Sequence, residues 1–133
     1  MSSARSRKQQ QDLAARIDQL KVQLTLIEQE IDKIRADGEV APAGCWIVRF
    51  QAKGKGGGRY WYYKWQSHEA IFVTQGGQPS RHKYLGKAGS EAYLKAVAMV
   101  IRRSQLEGWQ QAMNTLQQGL LDLVEEASRH QKD

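Results

Sequence analysis

Seven apolar residues, Leu13, Ile17, Leu20, Leu24, Ile27, Ile31 and Ile34, recur at spacings of 4, 3, 4, 3, 4 and 3. A 3.5-residue period held for about three heptads suits a coiled-coil seam better than a general amphipathic face. Asp12 serves the start of such a helix, and Gly38 ends it before the Pro42 turn. A coiled-coil helix is therefore predicted over 11–37, a rod of about 40 Å at 1.5 Å per residue. The last third repeats the pattern: Leu106, Trp109, Met113, Leu116, Leu120, Leu123 and Ala127 are spaced 3, 4, 3, 4, 3 and 4. Before it, Ser90-Glu-Ala-Tyr93 opens a helix in which Leu94, Val97 and Ile101 share a face. Residues 90–130 thus form one helix or a pair divided near Gly108, where glycine costs about 1 kcal/mol against alanine.

Two stripes of similar length pair either within the chain or between chains. In a parallel homodimer of the first arm, Arg16 faces Lys21 of its partner, which is unfavourable. An antiparallel pairing of two such arms brings Arg16 toward Glu30 instead. An antiparallel helical hairpin within one chain is the expected arrangement, with a homodimer through the arms as a further level of assembly.

Between the arms the period changes to two. Cys45–Phe50, Arg59–Ser67, Ala70–Thr74 and Arg81–Leu85 read as strands, with Gly76-Gly-Gln-Pro79 as a turn. The expected fold is α+β: a small antiparallel sheet of three to four strands, residues 43–88, inserted between two long heptad-patterned helices. The helix beginning near Ser90 should cover one face of that sheet. One such domain with a helical extension fits the 133 residues of the chain.

The formal charge of +6 is unevenly spread. Residues 1–10 form a basic segment expected as a flexible tail, with Arg5, Arg7 and Lys8. Residues 43–90 hold eight bases against one acid, Glu69, a net +7. The helical arms on either side are mildly acidic overall. A basic module between acidic arms points to a localised surface for a polyanion. No window approaches the roughly 18 apolar residues of a membrane span. The basic N-terminal segment has no apolar stretch behind it, as a secretory signal would. A single cysteine, Cys45, excludes an internal disulfide and fits a reducing compartment, so a cytoplasmic location is expected.

The run Lys53-Gly-Lys-Gly-Gly-Gly-Arg59 invites comparison with phosphate loops. A Walker loop needs Gly-Lys-Ser/Thr feeding a helix, yet Gly56 follows Lys55 and a strand comes next. The dinucleotide fingerprint fails as well, because Arg59 stands at its last position and no helix follows. A glycine-rich hairpin tip is the better account, with Lys53, Lys55 and Arg59 projecting to follow a phosphodiester backbone. In the next strand Trp61, Tyr63, Trp65 and Ser67 alternate with Tyr60, Tyr62, Lys64 and Gln66. The first set is expected to face the covering helix. The second should face outward beside Arg49 or its neighbours, where Tyr60 and Tyr62 can stack on bases. No His or Cys lies at metal-ligand spacing, and the carboxylates sit mainly on the helical arms, so no cofactor, metal or catalytic group is expected.

Tyr60-Trp-Tyr-Tyr-Lys-Trp65, followed by Lys83-Tyr-Leu-Gly-Lys87 and a helix, resembles a family of short, poorly characterised prokaryotic proteins often encountered beside mobile elements. The resemblance spans roughly 57–127. Many members carry an upstream cysteine cluster, which this chain replaces with Cys45 alone, so no metal carries over. The strand-strand-strand-helix order is also similar to the N-terminal DNA-binding domain of tyrosine recombinases, in which a three-stranded sheet enters the major groove. That resemblance implies contacts to phosphates or base edges from Arg49, Lys64, Arg81 and Lys83, with arginine the better reader of guanine. The expected function is non-catalytic binding of nucleic acid, duplex DNA foremost. Arg49, Lys53, Lys55, Arg59, Tyr60, Tyr62, Lys64, Arg81, Lys83 and Lys87 are the candidate contacts. RNA or single-strand binding, and a coiled-coil adaptor for protein partners, are the alternatives.

Overall fold

The computed structural model describes residues 4–132, with side chains through Arg129. In chain order the elements are α1 (Ala4–Asp37), β1 (Cys45–Lys53), β2 (Arg59–Ser67), β3 (Phe72–Val73), β4 (Pro79–Ser80), β5 (His82–Gly86) and α2 (Glu91–Lys132). This is the expected α+β arrangement of two long helices flanking a small antiparallel sheet. The chain divides into two compact units. One is residues 37–104; the other joins α1 to the later turns of α2.

In the helical unit the two stripes are the covered faces. Leu13, Ile27 and Ile31 of α1 are buried, and the remaining stripe residues of both helices are half-buried. The helices run antiparallel within the one chain. Arg16 Nη2 lies 3.3 Å from Glu126 Oε2, and a Cβ placed on Gly119 would touch Leu20 at 3.5 Å. Arg16 also pairs with Asp12 at 3.1 Å, one turn before it. Exposed ion pairs of this kind are worth about 0–1 kcal/mol, so the apolar seam holds the hairpin together. Residues 4–10 belong to α1, which corrects the expectation of a flexible tail there; residues 1–3 of that predicted tail lie outside the described residues. Arg, Lys, Gln and Ala are good helix formers, and neither Gly nor Pro interrupts 4–37. Likewise α2 continues through Gly108 without a break.

The other unit is a three-stranded sheet in the order β1-β2-β5 with a separate two-stranded ribbon, β3-β4. The predicted strand over 70–74 shrinks to Phe72–Val73 and pairs with Pro79–Ser80. A turn closes the ribbon: Gly77 N–H donates to the Thr74 carbonyl (2.9 Å), and Thr74 N–H to that of Gln78 (2.8 Å). Proline at 79 has no N–H for a ladder, which suits it to this short edge. β5 takes the third place in the main sheet.

Beneath the sheet, Ala41, Cys45, Trp65, Leu85 and Ala96 form the core, with Ile47, Tyr63, Phe72, Met99 and Val100 packed around them. The helix meets the sheet through Tyr93, Ala96, Met99 and Val100. Leu94 and Ile101, which share a helix face, are more than half exposed. The small Ala96 lets the helix backbone approach the strands closely, and Tyr63 packs edge-on to Tyr93 with ring centroids 4.8 Å apart. Ser90 caps the helix: Tyr93 N–H donates to its Oγ (3.3 Å), while its hydroxyl donates to the Leu85 carbonyl (2.9 Å). Two arginines of α2 hold the segment leading into β1. Arg102 donates to the Glu39 carbonyl at 2.9 Å, and Arg103 Nη1 donates to the carbonyls of Pro42 and Cys45 at 2.6 Å each.

Burial pushes the Cys45 thiol above its ordinary range, against the opposing pull of the Arg103 guanidinium. Its thiolate fraction at neutral pH is therefore lower than that of a free cysteine. A maleimide is expected to label the native protein slowly near pH 7 and the urea-unfolded protein fast. Equal rates in a stopped labelling assay would contradict this packing.

A candidate nucleic-acid interface on the sheet

The pairing of β1 with β2 fixes two faces. Ile47 opposes Trp65, Arg49 opposes Tyr63, Gln51 opposes Trp61 and Lys53 opposes Arg59. Side chains alternate along a strand, so these residues share the helix side of the sheet with Cys45 and Ser67. The other side carries Trp46, Val48, Phe50 and Ala52 of β1 opposite Gln66, Lys64, Tyr62 and Tyr60 of β2. From β5 it receives His82 and Tyr84, paired with Gln66 and Lys64.

Arg49 is therefore on the face opposite Tyr60 and Tyr62, not beside them. Its guanidinium sits 3.8 Å from the centroid of Trp61. Trp61 is on the helix side, as expected, but it is 46% exposed, whereas Trp65 is 5% exposed. The difference is coverage. β5 pairs with β2 only over Tyr63–Gln66, and the core beneath the sheet reaches no further out than Ile47 and Tyr63. Beyond that point β1 and β2 continue as a two-stranded ribbon.

The tip of this ribbon is a defined turn. Gly57 N–H donates to the Gly54 carbonyl (3.1 Å) and Gly54 N–H to that of Gly58 (2.7 Å), with Gly57 at φ 83°. The Tyr60 ring lies back against Gly54 and Gly58, and a Cβ on Gly54 would overlap it. The glycine-rich hairpin tip is thus a compact turn with a tyrosine laid over it. Lys55 stands exposed within it, and Lys53 and Arg59 flank it on the same face.

On the outer face the rings form a row across three strands. Phe50 and Tyr62 have centroids 5.9 Å apart, and Tyr62 and Tyr84 6.0 Å. Cations lie over them: Lys64 Nζ is 5.2 Å from the Phe50 centroid, and Lys87 Nζ is 4.6 Å from Tyr60 and 5.8 Å from Tyr62. Lys87 reaches this face through a bulge. Lys64 pairs with Tyr84 but Tyr63 pairs with Gly86, so the register shifts by one residue at Leu85–Gly86. In the shifted register position 87 falls opposite Tyr62, on the outer side; without the shift it would fall opposite Trp61.

Of the ten candidates, the structure brings Tyr60, Tyr62, Lys64 and Lys87 together on the outer face. Arg49, Lys53 and Arg59 lie on the helix-side face of the ribbon, with Lys55 at its tip. Lys83, opposite Trp65, is on the helix side, and Arg81 lies just before β5. Phe50 and Tyr84 belong to the outer row but were not among the candidates. Period-two alternation in Trp46-Val48-Phe50 and from Leu85 back to Tyr84 is the signal that marks them. Among the described residues no group of three or more His, Cys, Asp or Glu could hold a metal ion, and no helix is long and apolar enough to cross a membrane. No protein-family model, curated protein or solved structure matches the chain.

Proposed function

We propose that the protein binds nucleic acid, duplex DNA foremost, and carries out no chemistry on it. The observation behind this reading is the distal β1–β2 ribbon. It carries Lys53, Lys55 and Arg59, with Arg49 at its base reaching out over Trp61, and no acidic residue occurs between Glu39 and Glu69. Lys53 and Arg59 are direct cross-strand partners, a like-charge pairing that costs stability unless an anion offsets it. A two-stranded ribbon is also an element that the major groove, about 12 Å wide, admits. The order of three strands and a helix supports the same reading through the resemblance to the recombinase module.

Four phosphate contacts from the ribbon give a slope of log K against log salt of about −3.6, or a roughly 150-fold loss from about 50 to 200 mM salt. Titrating a labelled duplex at the two concentrations measures it. Absence of binding at low salt, or affinity indifferent to salt, would sink the proposal. Assembly into a homodimer belongs to the same proposal, supported by Val22, Leu26, Leu121 and Val124, which stay about half exposed or more outside the seam. The buried free thiol of Cys45 fits the reducing cytoplasm proposed as its location.

A further inference from the structure

We infer that the outer face of the sheet is a second contact surface, which takes unpaired bases, so that the ligand includes a single-stranded segment. This rests on the nucleic-acid reading above and names the form of the ligand. The inference follows from what the outer face offers and what it lacks. Its projecting groups at the centre are rings: Phe50, Tyr62 and Tyr84 in a row, with Tyr60 beside them. Tyr84 is 63% exposed and Tyr60 44% exposed, a large aromatic area to leave in water.

Base edges in a groove are read by hydrogen-bonding forks, above all the guanidinium. By the strand register no arginine lies on this face, and Arg49 stacks on Trp61 on the opposite one. Rings read the faces of bases, and in a duplex those faces are covered by neighbouring pairs about 3.4 Å apart. The rings here are spaced at 5.9 and 6.0 Å, wider than a continuous stack. Such a row suits bases that have left the stack, one to a ring, as in sheet platforms that bind single strands. Lys64 and Lys87 lie against the rings, where their ammonium groups meet the phosphates between successive bases.

The test is fluorescence anisotropy with the full chain and two labelled probes, an oligo-dT of about 15 nucleotides and a duplex. The variants are Tyr84→Leu and Tyr84→Phe. Loss of one stacked base lowers affinity about 5- to 150-fold. The expected result is that loss for oligo-dT with Tyr84→Leu, recovery with Tyr84→Phe, and little change for the duplex with either. Because Tyr84 is largely exposed, circular dichroism should show all three proteins equally folded. Oligo-dT affinity unchanged by Tyr84→Leu, or duplex binding without oligo-dT binding, overturns the single-strand inference and leaves the proposed function standing. Failure of both probes to bind removes the two together.

Discussion

Replacing Lys53, Lys55 and Arg59 together by glutamine is expected to cut the salt dependence of duplex binding from roughly 150-fold to about 3.5-fold between about 50 and 200 mM salt, since one phosphate contact of four remains. At low salt the same variant should bind far more weakly than the natural chain. Its stability, however, should be unchanged or higher. Lys53 and Arg59 oppose one another directly across the strands, and relieving a like-charge pair contributes about 0.2–1 kcal/mol. Lys55 is exposed in the turn. A parallel titration and thermal melt therefore separate the two effects. Weakened binding in a protein that melts no lower marks the charges as kept for a ligand at the fold's expense. An unchanged salt slope would clear the hairpin tip of any role.

The largest stability effect is expected at Gly86. Its φ of 95° is in the left-handed region, which costs other residues about 1–2 kcal/mol and a β-branched residue more. A Cβ there would also stand 3.1 Å from Ser90 Oγ, the atom that caps α2, and loss of a cap costs about 0.5–2 kcal/mol. Gly86→Val should thus destabilise the sheet unit by about 2–4 kcal/mol, read as a lowered urea midpoint. At denaturant concentrations where the variant still folds, the bulge should shift and carry Lys87 off the rings of Tyr60 and Tyr62. A midpoint equal to that of the natural chain would show that the bulge tolerates a side chain.

These two sites differ in how much the sequence disclosed. The helical seam was legible because a strict 3.5-residue period has one meaning: every stripe residue of both helices is buried or half-buried. The sides of β2 were legible for the same reason, since alternation sorts Trp65 from Tyr62 without further information. Alternation does not say how far the cover extends, and so Trp61 and Trp65 share a side while only one is buried. It also assumes an unbroken register. The bulge at Leu85–Gly86 resets the parity of Lys87, and its only trace in the sequence is a glycine that reads equally well as a strand end. The pairing of β3 with β4, and the face α2 turns to the sheet, depend on tertiary contacts. The small Ala96 won the contact with the strands over the larger Leu94 and Ile101, which hydrophobicity alone would favour.

The two units also differ in when a growing chain can complete them. Residues 37–104 are contiguous and close upon themselves as soon as that stretch has been synthesised. The helical unit draws on both ends of the chain, and its Arg16–Glu126 contact joins residues 110 apart. At about 5–20 residues per second, α1 spends on the order of 5 s or more with its leucines and isoleucines unpaired before its partner is made. The sheet unit finishes during that wait and brings residues 37 and 104 into one folded body, shortening the loop that the two arms must close. The first arm to be made is thus the last to be buried, and that interval is when a crowded ribosome or a chaperone would meet its bare apolar stripe.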